Sequence, residues 1–186
     1  LKHLQVLLSG GEISFAEFGS SGDAPLLHEL SLGDKPTAVA LRWLSQDLPK
    51  VPLDVAATGP KVIEMGARIA ERVTFSVGAD HERMQWALAT AKAAEPSPRS
   101  YGAQLVVVCH PDEATAMEVA MHMAPPLARF QVISGQKVGP TDQAADDNLD
   151  AIRSGYDMNK HGVTEAKHRI IGGGLSGVTE QRAAGL

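Results

Sequence analysis

Apolar positions along the chain change their spacing several times, and each change predicts an element. Leu4, Leu7 and Leu8 sit at helical spacing, and Gly10-Gly11 stops that run. Ile13, Phe15 and Phe18 predict a short extended piece, followed by a loop at Gly19-Ser20-Ser21-Gly22-Asp23. Thr37 to Leu48 predicts a helix ending before Pro49. From residue 51 the pattern is sharper. Val51 to Ala57 is a short apolar run broken by Thr58-Gly59-Pro60. Val62, Met65, Gly66 and Ile69 recur at i, i+3, i+4 and i+7, which predicts a helix over 60–70 with Pro60 in its first turn. Val73 to Val77 is β-branched and aromatic, the composition of a strand. Asp80 is a good N-cap for a helix whose stripe is Met84, Ala87, Leu88 and Ala91, ended by Pro96 and Pro98. Leu105 to Cys109 predicts a strand of the fully buried kind. Pro111-Asp112-Glu113 opens a third helix with Met117, Ala120, Met121 and Ala124 on one face, and Pro125-Pro126 is expected to stop it. Asp146, Asp147 and Asp150 mark an acidic helix start, with Leu149, Ile152 and Tyr156 as its buried side.

Strands near 52–57, 73–77 and 104–109 thus alternate with helices. Apolar strands buried on both faces and separated by helices imply a parallel sheet with right-handed crossovers. Periodicity does not separate an open doubly wound sheet from a (β/α) barrel. In both, ligands bind at the carboxyl ends of the strands, here Ala56–Gly59, Val77–Asp80 and His110–Asp112.

Composition narrows the class. The 186 residues suit one domain, and 17 basic against 22 acidic residues leave a net charge of −5. That balance argues against a nucleic-acid or anionic-membrane surface. Apolar runs fall far short of a membrane span, and no basic segment followed by a long apolar stretch opens the chain, so a cytoplasmic location is expected. One cysteine excludes a disulfide framework and a Cys-rich zinc module. The chain opens on Leu1, so its natural start is expected to lie upstream.

Several motifs carry candidate chemistry. Ala56-Ala57-Thr58-Gly59-Pro60 combines small residues, an approachable backbone, a hydroxyl and a following helix N-terminus, which suits a phosphate; the plainer reading is a self-capping strand-to-helix turn. Val77-Gly78-Ala79-Asp80 is similar in kind, with Asp80 as a plain N-cap in the alternative. Gly172-Gly173-Gly174-Leu175-Ser176-Gly177 satisfies G-x-G-x-x-G after Ile170-Ile171, but only nine residues follow it where a dinucleotide-binding unit needs about 30. His81-Glu82 opens like H-E-x-x-H, yet position 85 is Gln, which leaves surface helix residues and no metal site. Cys109 and His110 are strand neighbours pointing to opposite faces, so they make no nucleophile–base pair, and Cys109 is expected to be buried. His110 reads as a loop cap. Met117, Met121 and Met123 read as packing, and Asp146-Asp147 as a solvated helix start without the spacing of a calcium loop.

Four of these segments, in order, resemble the luciferase-like monooxygenase superfamily. They are Pro52-Leu53-Asp54-Val55-Ala56-Ala57-Thr58-Gly59-Pro60-Lys61; Ala70 to Val73 with Val77-Gly78-Ala79-Asp80-His81-Glu82-Arg83; Val106-Val107-Val108-Cys109-His110-Pro111-Asp112; and Tyr156-Asp157-Met158 with His161. The family's Ala-Asp-Gly-Val before strand six reads Ala70-Glu71-Arg72-Val73 here, and its turn near the end reads Gly172-Gly173-Gly174-Leu175. The resemblance implies a partial TIM (β/α) barrel: parallel strands five to seven with outer helices, from the C-terminal part of a larger protein. In that layout residues 1–50 are an insertion region, 51–124 are three βα units and 125–186 are a helical C-terminal region.

The resemblance further implies an FMN- or deazaflavin coenzyme F-420-dependent oxidoreductase or monooxygenase. Hydride would pass between the cofactor and a small organic substrate. The cofactor-binding candidates are Ala56, Ala57, Thr58, Gly59, Lys61, Val77, Gly78 and Ala79, and catalytic groups are expected from early strands that this chain lacks. The contrasting reading is a non-catalytic phosphate-ligand or interaction module on a truncated barrel. Open strand edges and apolar faces missing their neighbours predict a homo-oligomer.

Overall fold

The computed structural model describes residues 1–17, 36–44, 47–132, 137–157 and 159, with the side chains of 121–127 excepted. Contacts divide the chain into two units, Leu1–Leu53 and Asp54–Leu186.

In the first unit the helical spacing of Leu4, Leu7 and Leu8 gives α1 (Lys2–Leu8), and Gly10 turns the chain at φ 76°. β1 (Glu12–Ser14) is the Ile13 part of the expected extended piece, with Ile13 buried, but Phe15–Glu17 is a 3-10 turn. The expected helix over Thr37–Leu48 is not formed across its start. Ala38–Ala40 is a strand, β2, paired antiparallel to β1 with Ile13 opposite Val39. An antiparallel partner satisfies the backbone groups that a helix would have satisfied internally, so tertiary pairing overrides a weak local preference. Phe18 and the Gly19–Asp23 loop lie outside the described residues.

The second unit is a mixed α/β layer structure. β3 (Asp54–Ala57), β4 (Arg72–Phe75) and β5 (Ser100–Ala103) are parallel in that order, joined by α2 (Pro60–Ile69) and α3 (His81–Ala94). Ala57, Val73, Phe75 and Val77 pack on Ile63 and Ala67 of α2 and on Ala87 and Ala91 of α3. The Phe75 and Tyr101 rings stack with centroids 5.7 Å apart. The buried stripe of α2 is Ile63, Gly66 and Ala67, one position round from the expected one, and Val62 and Met65 are exposed. Gly66 explains the offset. A Cβ there would lie 3.2 Å from Val73 and 3.3 Å from Val55, so the helix rides on the sheet at its only residue without a side chain in that stripe.

Two expectations about the strands are corrected. The third strand is Ser100–Ala103, not 104–109, and it is followed by a stretch that is not part of the sheet, in which Leu105 is 46% and Val107 73% exposed. Cys109, expected inside, is exposed. The strands are also buried on one face only: β3 and β4 alternate exposed or half-buried with buried positions.

α4 (Glu113–Ala128) opens on Asp112, whose carboxylate accepts from the Thr115 N–H at 2.8 Å and the Thr115 hydroxyl at 2.6 Å. It does not stop at Pro125-Pro126 but runs through both to Ala128, with one 3-10 turn at Arg129–Gln131. Each proline removes an N–H donor and crowds the carbonyl one turn back, and both sit within the last four residues of α4. α5 (Gln143–Gly155) is capped by Asp142 and buries Leu149 and Ile152 against Val132, with Ala128 and Tyr156 alongside. The acidic residues are not merely solvated. Lys137 Nζ lies 3.0 Å from Asp150 and 3.3 Å from Asp146, and the Thr141 hydroxyl donates to Asp146 at 2.6 Å.

That cluster makes the α5 segment pH-sensitive at both ends of the scale. The Thr141 hydroxyl, then Lys137, hold the Asp146 carboxyl below its ordinary 3.8. The hydrogen bond to Asp150, then Asp146, hold the Lys137 ammonium above its ordinary 10.5. Asp146 therefore stabilises the folded state fully above its unfolded value, and loses that contribution as pH falls through the lower folded value. Lys137 does so below 10.5, and loses it as pH rises past its raised value. Urea midpoints followed from pH 7 downward should fall below pH 3.8, and Asp146→Asn should flatten that decline.

Candidate functional site

The face of the sheet turned away from α2 and α3 is polar, and parallel register arranges it in rows. Asp54, Arg72 and Ser100 are register partners; so are Ala56, Thr74 and Gly102. The first row is closed on itself. Arg72 Nε lies 3.4 Å from Asp54, and the Thr74 hydroxyl donates to both Asp54 oxygens at 2.8 and 2.9 Å. The Arg72 guanidinium lies over Gly102, 2.5 Å from where a Cβ would stand.

Continuing the register one step brings Thr58, Ser76 and Gln104 together at the carboxyl ends of the strands. The Ser76 N–H donates to the Ala57 carbonyl at 2.9 Å, and the Gln104 N–H to the Phe75 carbonyl at 2.9 Å. The Thr58 hydroxyl donates to the Ser76 carbonyl at 3.2 Å, and the Ser76 hydroxyl to Gln104 Oε1 at 2.7 Å. The β3 and β4 turns, which carry all the cofactor-binding candidates, are therefore side by side.

Within them the candidates divide. Ala57 and Val77 send their side chains into the core, so only their backbones face the strand ends. Ala56 is exposed on the polar face. Gly59 is the N-cap of α2, at φ −95° and ψ 156°, with no side-chain cap bond, and Lys61 is exposed in the first turn. Nothing lies within 4 Å of a Cβ built on Gly59 or on Gly78. Gly78 has φ +86°, a conformation that other residues resist, so glycine is required there for the turn itself. Ala79 is half-buried. Thr58, expected to offer its hydroxyl outward, has its proton engaged by Ser76.

The α3 N-terminus is closed by contrast. Asp80 accepts from the Arg83 N–H at 2.7 Å, as its N-cap position predicts. His81 pairs with Gln85 at 2.8 Å on the surface, and His110 Nδ1 accepts from the Asp112 N–H at 3.0 Å, a local loop cap. Gly172–Gly177, Met158 and His161 lie outside the described residues.

Three residues of consequence escape the sequence reading. Ser76 and Gln104 are legible only as polar positions: Arg72, Thr74 and Ser76 alternate with Val73, Phe75 and Val77, the period of a one-sided strand. Arg83 carries no such signal. It is 5% exposed, and its guanidinium donates to the carbonyls of Val77 at 3.0 Å, Pro140 at 2.8 Å and Val138 at 2.8 Å. Burial pushes the pKa of its guanidinium down, and the Asp80 carboxylate partly offsets this. The clamp ties the segment before α5 to the β4 turn.

Comparison with family models, with curated proteins and with solved structures finds no match to this chain. Among the described residues no helix is long and apolar enough to cross a membrane.

Proposed function

We propose that the unit from Asp54 is a piece of a (β/α) barrel, and that it binds the phosphate of an FMN or deazaflavin coenzyme F-420 cofactor at the β3 turn, as part of an oxidoreductase. The observation that carries this reading is the uncapped N-terminus of α2, with open space at Gly59, beside the Gly78 turn. The N–H groups of Gly59 and Lys61 would hold phosphate oxygens at the positive end of the α2 dipole, while Pro60 has none to give. Lys61 adds charge from the exposed side. A bound cofactor of this class supplies hydride transfer to or from a small organic substrate. This chain's own part is to anchor and orient it. Ala56, Ala57, Val77 and Ala79 complete the small-residue rim, and no catalytic acid or base is assigned to them.

Gly59 gives a clean test. Its φ is ordinary and its Cβ direction is open, so Gly59→Val leaves the turn unstrained while placing a branched side chain where the phosphate would sit. FMN affinity is expected to drop at least roughly tenfold, the loss of one hydrogen bond to a charged group or more, with only the small loss of stability that a poorer N-cap residue brings. Thr58→Ala is expected to have the smaller effect, because its hydroxyl already donates to Ser76. Equal FMN affinity in wild type and Gly59→Val would return the turn to an ordinary helix start.

The same reading keeps the proposal of self-association. Parallel sheets are normally covered on both faces, whereas here one face and the unpaired Leu105–Cys109 stretch are open among the described residues. Sedimentation is expected to show a concentration-dependent rise in mass, and a compact monomer throughout would count against it.

A further inference from the structure

The third row of the polar sheet face differs from the first in what it leaves unused. Asp54, Arg72 and Thr74 satisfy one another. Ser76 and Gln104 share one hydrogen bond of 2.7 Å and keep the rest of their capacity. With the Ser76 proton given to Gln104 Oε1, Ser76 Oγ remains an acceptor and Gln104 Nε2 a donor. Turning the Gln104 amide over exchanges the roles, but again leaves one donor and one acceptor side by side. The pair is held by strand register rather than by chance. The Ser76 N–H is fixed on Ala57, the Gln104 N–H on Phe75, and the Ser76 carbonyl receives Thr58. It stands at the strand carboxyl ends, beside the open Gly59 and Gly78 turns.

A donor next to an acceptor complements a ligand edge carrying the reverse pair, an N–H beside a C=O. We infer that Ser76 and Gln104 recognise the amide (lactam or imide) edge of a planar heterocycle. The inference rests on the cofactor reading above, because an isoalloxazine or deazaflavin ring presents such an edge on the same molecule as the phosphate. Two anchor points then divide the labour: the β3 turn holds the phosphate, and the β4–β5 pair sets which edge of the ring faces the sheet.

The test titrates riboflavin, FMN and riboflavin methylated on its imide nitrogen by fluorescence quenching. The chains are wild type, Ser76→Ala, Gln104→Leu and Gly59→Val. Gln104→Glu, which keeps the size but removes the donors, serves as a second variant should Gln104→Leu fold poorly. Ser76→Ala and either Gln104 variant are expected to weaken riboflavin and FMN by the same factor, about three- to tenfold, the loss of one neutral hydrogen bond. The methylated ligand should bind wild type more weakly and be indifferent to these variants. Unchanged riboflavin and FMN affinities in the Ser76 and Gln104 variants overturn the pair; if Gly59→Val still weakens FMN alone, the phosphate site stands without it. Loss of riboflavin binding in those variants, with Gly59→Val silent towards FMN, upholds the pair and overturns the phosphate site. Failure of wild type to bind either flavin overturns both.

Discussion

Arg83→Ala is expected to destabilise the unit from Asp54 by about 3–5 kcal/mol, the range for stripping one partner from a buried charged hydrogen-bond network. The substitution leaves the Val77, Val138 and Pro140 carbonyls without their donor, and removes the stem that fills the space between them. The effect is larger than a typical surface change because Arg83 joins two distant segments: Val77 lies 6 residues before it, and Val138 and Pro140 lie 55 and 57 residues beyond it. Gly139 lies between the two far acceptors. It sits at φ 78°, and a Cβ there would stand 2.9 Å from the Trp86 ring, so only glycine fits. Urea unfolding should show the drop in midpoint. Hydrogen exchange should show protection lost first in α5, with α2 and β4 retained. Arg83→Lys restores one or two of the three donations and should recover only part of the stability, since the guanidinium fork reaches three carbonyls at once. An unfolding free energy within about 0.5 kcal/mol of wild type, the usual span of a surface change, would show that the clamp is not structural.

Ile63→Ala comes next, at about 2–5 kcal/mol. Ile63 is fully buried at the centre of the cluster formed by Val73, Phe75, Val77 and Ala87. Its neighbours are rigid: Val73 and Phe75 are fixed by parallel pairing, and at Gly66 α2 lies so close to the sheet that a Cβ would stand 3.2–3.3 Å from Val73 and Val55. A site that cannot collapse keeps its cavity, which places the cost toward the upper part of the range. Ile63→Val should cost about 0.5–1.5 kcal/mol. Thermal unfolding of the two variants side by side checks both the size and the order.

The contrast between Ile63 and Arg83 shows where sequence reasoning works on this chain. The α2 helix was legible because Pro60 sets its start and the apolar spacing carries it for three turns, although the stripe itself lay one position round. Asp80 was legible because an N-cap acts within three residues. Of the candidate site, the two turns were legible from small residues and breakers following apolar runs. Their adjacency, and the Ser76–Gln104 pair, depend on the register between β4 and β5, which no local pattern states.

Local features are legible in the chain: α2, α3 and α5, the Asp80 cap, strands expected near 52–57 and 73–77 and found at Asp54–Ala57 and Arg72–Phe75, and the βα alternation that makes them parallel. These rest on interactions spanning a few residues, so the chain order encodes them directly. The tertiary structure decided the position of β5. Leu105 to Cys109 has the stronger β composition, yet pairing stops at Ala103, with one further bond from the Gln104 N–H to Phe75. A strand needs a neighbour. β4 ends at Phe75 and turns away at Gly78, so the apolar run beyond Gln104 has nothing on that side to pair with. The same dependence on distant partners put Cys109 outside and Arg83 inside. A thiol is buried only where packing covers it, and a guanidinium only where carbonyls from other segments converge on it.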